Sequence, residues 1–133
     1  MDSINNELKI SIREPEETDI PFFFTTWLHG LYYGNSWFNA IDKDVFYEKY
    51  HEVLKLLLGR SSLRVACMED EPDVILGYSV FTDTTLHWVF VKKAWRKLGI
   101  AKRLIPQDIN TVSHLTKLGK ALKPKDWKFN PFL

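Results

Sequence analysis

The sequence is poor in cysteine, with Cys67 alone among 133 residues, so no intrachain disulfide can form. Cys67 lies in the apolar run 63–68, which is typical of a buried strand residue rather than a nucleophile. The first residues lack the basic and apolar regions of a signal peptide, and no apolar run approaches the ~20 residues of a membrane helix. We therefore expect a cytoplasmic protein in a reducing compartment, with no membrane partner.

Excess charge is also lacking, because 18 Lys and Arg oppose 17 Asp and Glu for a net charge of +1. The charges are unevenly placed, with acidic residues before residue 20 and at 69–73, and basic residues at 92–128. This basic half suits an anionic cofactor, although the lysines from Lys117 onwards also fit a solvated surface. Nucleic acid or another phosphorylated ligand is a further interpretation. No recognised nucleic-acid module is present, so we do not expect a nucleic-acid partner.

Metal-binding and nucleotide-binding motifs are missing as well. The four histidines are scattered and the single cysteine has no partner, so we expect no metal. Neither Gly-x-x-x-x-Gly-Lys-Ser/Thr nor Gly-x-Gly-x-x-Gly occurs, which disfavours nucleoside triphosphatases and dinucleotide enzymes. There is no internal repeat or linker, and the length fits one domain over residues 1–133.

Hydrophobic periodicity predicts an α/β (α+β) chain. The predicted strands cover 8–13, 63–68, 74–81, 85–91 and, less clearly, 111–116. The first predicted helix starts after a cap at Thr18 or Asp19 and ends at Gly30 or Gly34, and the others cover 42–59, 99–105 and 117–123. We interpret 32–38 as an aromatic loop and 128–133 as an extended tail.

The segment 86–104 carries the strongest functional signal. It begins as a strand, continues into the basic turn 96–101, and enters a helix at Gly99. A glycine at a helix start leaves backbone N–H groups unpaired at the positive end of the helix dipole, which suits a phosphate or pyrophosphate.

The spacing Arg-x-x-Gly-x-Ala after a strand that ends in Val-x-Val resembles the acetyl-CoA-binding motif of the GCN5-related N-acetyltransferase (GNAT) superfamily. The order of predicted elements resembles GNAT over most of the chain, and most strongly at 63–104. The resemblance implies a mixed, mostly antiparallel central sheet flanked by helices and splayed at strands four and five. It also implies acetyl-CoA as cosubstrate and an amine acceptor, either a small molecule or a protein.

The resemblance also assigns cofactor-binding residues. The pantetheine arm would lie along the backbone of the fourth strand, with an N–H at Val91 or its neighbour as the oxyanion donor. The pyrophosphate would meet the backbone of the turn. The residues so assigned are Val89, Phe90, Val91, Arg96, Lys97, Leu98, Gly99, Ile100 and Ala101. The alternative to a cofactor site is an ordinary strand-turn-helix that carries basic residues on its surface.

Two histidines are candidates for the general base. Strand alternation places His87 on the face of Val89 and Val91, near the position where many relatives carry a glutamate. His114, with Ser113 and Thr116 as polar neighbours, is the second candidate. A packed, hydrogen-bonded histidine is the alternative for each.

Two features depart from the family pattern. No tyrosine follows Tyr78, so the usual general acid for the leaving thiolate is missing. The C-terminus is also short, as in small phage-encoded members, so the acceptor side would be reduced, lost, or completed by a partner such as a second copy. The resemblance implies that an aromatic wall lines the acceptor side, formed by Tyr32, Tyr33, Trp37 and Phe38. The alternative is that these four side chains form a small cap on the core.

The sequence thus predicts an acyl-CoA-dependent N-acetyltransferase. The alternative is a catalytically reduced GNAT-like domain that serves as a binding, accessory or structural protein of the phage type.

Overall fold

A computed structural model describes residues 9–114, 116, 119 and 122–133. Six strands form one sheet in chain order: β1 Ile10–Arg13, β2 Ser62–Met68, β3 Ile75–Thr82, β4 Thr85–Val91, β5 Thr111–Val112 and β6 Lys128–Phe129. The first four strands pair antiparallel, whereas β4 with β5 and β5 with β6 pair parallel. The predicted mixed, mostly antiparallel sheet is confirmed.

Within residues 9–114, the α-helices that accompany the sheet are α1 Ile20–Gly34, α2 Ser36–Asn39, α3 Lys43–Gly59 and α4 Ile100–Leu104. Short 3-10 turns occupy Glu17–Asp19 and Lys93–Trp95. The prediction of an aromatic loop at 32–38 is wrong. It is largely helical because the Asn35 side chain accepts a hydrogen bond from the Trp37 N–H (2.9 Å) and starts α2 directly after α1.

The C-terminal part differs most from expectation. β5 ends at Val112 instead of continuing to residue 116. The predicted helix 117–123 lies largely outside the described residues. The extended tail contributes a sixth strand, in which Lys128 pairs with Thr111 and Phe129 with Val112. The short C-terminus therefore returns to the sheet.

The sheet is packed on both faces. One face meets α1 and α3 through a large aromatic cluster in which Trp27 of α1 stacks on Trp88 of β4, with 5.7 Å between ring centroids. The other face meets α4 through a smaller cluster that contains Val91, Ile100 and Leu104. Because α4 is short, it leaves a shallow groove of about 740 Å³ beside its C-terminal end, and none of the predicted site residues lines this groove.

An ion pair anchors α1 to the sheet. Arg13 of β1 donates two hydrogen bonds to Asp19 (2.8 and 3.0 Å), and the Glu16 N–H donates a third (2.7 Å). The Asp19 side chain is only 6% exposed, and the Arg13 guanidinium holds its pKa below the ordinary value. The position of α1 depends on this pair.

We expect Asp19→Ala to lower the free energy of unfolding by about 3 kcal/mol, because the Arg13 guanidinium would lose its charge partner in a largely buried place. Urea unfolding measures the loss. Glu16→Ala is the matched control: its carboxylate is 60% exposed and 3.7 Å from Arg13, so the change should cost less than about 1 kcal/mol. Equal losses in the two variants would contradict the anchoring role.

Candidate active site

A bulge in β4 determines where His87 points. Val80 pairs with Trp88 and Phe81 with Leu86, which leaves His87 without a partner in β3. The extra residue interrupts the alternation of side chains along the strand. Val89 and Val91 pack towards α4, whereas the His87 ring meets the hydroxyls of Thr82 and Ser113. The expectation that His87 shares a face with the two valines is therefore wrong.

β4 and β5 form a fork. Their pairing is limited to Thr85 with Thr111 and Leu86 with Val112, and the Ser113 N–H donates a further hydrogen bond to the Leu86 carbonyl (3.1 Å). From Trp88 to Val91, β4 pairs with β3 on one side, and no strand among the described residues pairs with it on the other side. The splay predicted at strands four and five is thus present.

The register of β3 with β4 determines which backbone groups face the fork. The Lys92 N–H donates to the Leu76 carbonyl (2.8 Å), so alternate residues back along β4 direct both backbone groups to β3. Trp88 and Phe90 belong to that set. The intervening Val89 and Val91 direct their N–H and C=O groups into the fork, where the Val91 carbonyl accepts a hydrogen bond from Arg96 Nε (2.8 Å).

The predicted phosphate-binding residues form one turn after β4. Lys97 and Gly99 both have positive φ, at 67° and 81°, and α4 starts at the next residue, Ile100. A Cβ on Gly99 would meet no atom within 4 Å, so the space over this turn is open. The Arg103 N–H donates to the Gly99 carbonyl (3.3 Å). This is the first hydrogen bond of α4, and the N–H groups of the residues before Arg103 in the first turn have no acceptor within the helix.

His87 is the centre of a buried polar chain. It is 2% exposed. Its Nε2 lies 2.9 Å from Thr82 Oγ1, and its Nδ1 lies 2.6 Å from Ser113 Oγ. Thr82 Oγ1 in turn lies 3.2 Å from Ser61 Oγ, which donates to the Leu57 carbonyl of α3 (2.6 Å).

The same chain continues through His114, the second candidate. Ser113 Oγ is 2.8 Å from His114 Nδ1, and His114 Nε2 is 3.0 Å from the Tyr50 hydroxyl of α3. The structure therefore brings both predicted histidines into one hydrogen-bonded unit. Thr116, named as a polar neighbour of His114, has its hydroxyl at the Gly119 N–H, from which it accepts a hydrogen bond (3.0 Å).

Burial keeps the side chains of this hydrogen-bonded series uncharged. Desolvation and, to a lesser extent, the charge of Arg60 together lower the pKa of His87 to about 4. Desolvation likewise lowers the pKa of His114 to about 4, with His87 contributing. Burial raises the pKa of Tyr50 above its ordinary value. At pH 7 both imidazoles are neutral and Tyr50 retains its proton.

A cavity of about 110 Å³ adjoins the end of this chain. Its polar lining includes Tyr50, Ser113 and His114, and its walls come from α1, α2 and the C-terminal tail: Leu31, Asn35, Phe38, Phe129 and Pro131. Of the predicted aromatic wall, only Phe38 lines the cavity. Tyr32 is buried and donates to the Ile41 carbonyl (2.8 Å), while Tyr33 and Trp37 are exposed.

Sequence reasoning missed Tyr50. Its helical spacing with Phe46 and Leu54 indicates a core position, which is correct, but no local signal relates it to a histidine 64 residues away. The tail was missed for the same reason, since Phe129 and Pro131 reach the cavity only through β6.

Two further findings concern the described part of the chain alone. Residues 9–114, 116, 119 and 122–133 contain no group of three or more His, Cys, Asp or Glu side chains that could hold a metal ion. Within these same ranges, no helix is both long enough and apolar enough to cross a membrane.

Several solved structures share this architecture. A candidate acetyl transferase from Pyrococcus furiosus matches with a TM-score of 0.60 and 20% identity, over 91% of this chain and 80% of that chain. A candidate acetyltransferase from Clostridium difficile 630 matches with a TM-score of 0.51 and 17% identity, over 92% and 78%. The apo form of YjaB from Escherichia coli matches with a TM-score of 0.51 and 17% identity, over 71% and 60%.

At these identities the likeness concerns the fold. Together with the fork and the turn before α4, it shows that the chain has the fold of these candidate acetyltransferases, which is the fold implied by the resemblance to the GCN5-related N-acetyltransferase superfamily. No family model matches the sequence, and no curated protein matches it significantly.

The depressed histidine pKa values predict acid sensitivity. In the unfolded chain both histidines titrate near 6.5, whereas the folded pKa values of His87 and His114 are about 4. Between these pH values the unfolded state binds more protons, so stability is lost as the pH falls. We expect the free energy of unfolding to change by about 1.4 kcal/mol per pH unit for each histidine near pH 5. Urea unfolding at several pH values measures the slope.

His114→Gln tests the assignment, because it removes one of the two protons from the linkage and should reduce the slope near pH 5 by about half. Asp19→Asn is the control. The pKa of Asp19 is lowered from 3.8, so the stability that Asp19 contributes is lost mainly below pH 4. The slope of the free energy of unfolding near pH 5 should therefore not change in this variant. An unchanged slope in His114→Gln would contradict the buried, neutral state of that histidine.

Proposed function

We propose that the protein is an acyl-CoA-dependent N-acyltransferase that moves an acetyl group from acetyl-CoA to an amine. The observation that carries this proposal is that one strand supplies both an unpaired backbone edge and, at its end, an open basic turn. An extended thioester arm and a pyrophosphate need these two surfaces in this order. The fold shared with candidate acetyltransferases supports the same activity.

The proposed cofactor site follows β4. The outward N–H and C=O of Val89 and the N–H of Val91 would bind the amides of the pantetheine arm as an added strand. The Val91 N–H, or that of Val89, is the proposed oxyanion donor. Phe90 would contribute through its half-buried ring, because its backbone groups belong to the β3 ladder.

The proposed phosphate site is the turn itself. The backbone N–H groups of Leu98, Gly99, Ile100 and Ala101 would bind the pyrophosphate, with positive charge from Arg96 and Lys97. Arg96 also serves the turn internally, since its Nε already bonds to the Val91 carbonyl. We therefore expect the backbone groups to contribute more to binding than the Arg96 side chain.

For acyl transfer, the attacking nitrogen must lose a proton. His114 lines the cavity together with Tyr50 and Ser113, and its Nε2 is hydrogen-bonded to the Tyr50 hydroxyl, whereas His87 reaches the cavity only through Ser113. We propose that His114 accepts the proton through Tyr50, and that His87 positions Ser113 and His114. The CoA sulfur would then leave as a thiolate, because the Tyr50 proton has moved to His114.

The amine acceptor, the cytoplasmic location and any second copy or partner subunit are parts of this proposal. The buried free thiol of Cys67 supports a reducing compartment. The alternative function is a catalytically reduced domain of this fold used for binding or assembly. One observation favours it: both ring nitrogens of His87 and of His114 are already hydrogen-bonded within the protein.

Cofactor binding is tested at Gly99. Acetyl-CoA should bind the wild-type chain in calorimetry and raise its thermal stability, by roughly 2.7 kcal/mol at a hundredfold excess over Kd. Gly99→Glu should abolish binding because a carboxylate would fill the open space over the turn and repel phosphate. Gly59→Glu is the control, since it adds the same charge at another open position, on α3. If Gly99→Glu binds acetyl-CoA normally, the turn has only a structural role.

Catalysis is tested by a double-mutant cycle. Because His87 and His114 share one hydrogen-bonded unit, His87→Gln, His114→Gln and the double variant should each lower turnover by roughly 10²-fold, with little further loss in the double. Release of free CoA thiol with an amine and peptide panel measures turnover. Additive losses of turnover would show that the two histidines act independently rather than as one unit. Wild-type binding of acetyl-CoA without transfer to any amine would favour the alternative function.

A further inference from the structure

The cavity beside the fork has one polar group whose hydrogen-bonding direction is fixed by distant residues. Tyr50 is linked to the Leu57 carbonyl through Ser61, Thr82, His87, Ser113 and His114. A carbonyl can only accept, each hydroxyl has one proton to donate, and each neutral imidazole has one N–H. The direction of every bond in the chain follows from these three facts.

The direction is obtained step by step from the fixed end. Ser61 gives its proton to the Leu57 carbonyl, so Thr82 must donate to Ser61. The Thr82 proton is then used, so His87 Nε2 must carry a proton and donate to Thr82. A neutral His87 is left with an unprotonated Nδ1, which accepts from the Ser113 hydroxyl.

The second histidine receives the opposite tautomer. The Ser113 proton is used by His87, so the His114 Nδ1–H must donate to Ser113 Oγ. His114 Nε2 is therefore unprotonated and accepts from the Tyr50 hydroxyl. The Tyr50 proton points into the protein, and the oxygen presents lone pairs to the cavity.

We propose that this cavity binds a small primary amine. The apolar stem of the amine contacts the apolar cavity wall, and the amine N–H donates to the Tyr50 hydroxyl oxygen. The proposal rests on the proposed N-acyltransferase function and specifies its acceptor. A tyrosine that accepts from the N–H leaves the lone pair of a neutral amine free to attack the thioester. A tyrosine that donated to the nitrogen would occupy that lone pair.

The remaining lining narrows the acceptor class. Leu31, Phe38, Phe129 and Pro131 give apolar and aromatic walls, which suit an alkyl or aryl stem and attract a cation through the ring faces. Among the described lining residues there is no Asp or Glu to bind a second ammonium group. The volume of about 110 Å³ is below that of a cavity that takes benzene, roughly 150 Å³. A compact monoamine fits these features better than a polyamine or an aminoglycoside.

The tautomers are tested without any ligand. In protein labelled with ¹⁵N at histidine, proton-nitrogen correlation spectra at pH 7 should show His87 protonated at Nε2 and His114 at Nδ1. The opposite tautomer at either ring in the wild type would overturn the proposal. Ser61→Ala removes the fixed link to the Leu57 carbonyl at the far end from the cavity, so both rings should become tautomeric mixtures. Retention of single tautomers in this variant would also overturn it.

Amine binding is tested with n-propylamine and spermidine as probes, by chemical-shift titration in the absence of acetyl-CoA. We expect n-propylamine to shift resonances of Phe38 and His114 and spermidine to bind no better. Tyr50→Phe, which preserves the ring packing, should weaken n-propylamine about three- to tenfold, since it removes one hydrogen bond. Unchanged binding in Tyr50→Phe, or tighter binding of spermidine, would overturn the acceptor assignment. Failure of acetyl-CoA binding or transfer alone would overturn the proposed function and leave these two results intact.

Discussion

The arrangement of the site depends on one side-chain hydrogen bond, between Ser113 Oγ and His87 Nδ1 (2.6 Å). Backbone pairing between β4 and β5 stops beside it, so this bond joins the two strands where they begin to separate. The bulge in β4 makes it possible, because it turns His87 away from α4 and towards Ser113. Without the bulge, the histidine would lie among the apolar residues under α4.

The same bond explains how a polar chain is tolerated in the core. A buried hydroxyl or imidazole without a partner costs about 1–3 kcal/mol, whereas a fully paired one costs little. Between the Leu57 carbonyl and Tyr50, each proton of the chain has an acceptor. A half-satisfied chain would leave several buried groups unpaired, so we expect its members to depend on one another energetically.

Local patterns in the sequence were sufficient for most of the fold. Strand alternation and helical spacing predicted β2 to β4 and α3 to within about a residue, because amphipathic periodicity records which face is buried. Periodicity cannot report an extra strand residue, so it placed His87 on the wrong face. It also cannot report contacts between distant segments, and the site consists largely of such contacts: Tyr50 from α3, Ser113 and His114 after β5, and the tail.

The tail bears on the predicted acceptor side. The resemblance predicts that this side is reduced, lost or completed by a partner, whereas in the structure Phe129 and Pro131 of the tail line the cavity. β6 pairs with the two-residue strand β5, and Asn130 continues the ladder by donating to the Val112 carbonyl (2.8 Å). Residues of β6 and of the tail after it therefore form part of the cavity wall. The cavity that they help to enclose has a volume of about 110 Å³, and this small volume is what favours the compact acceptors that we propose.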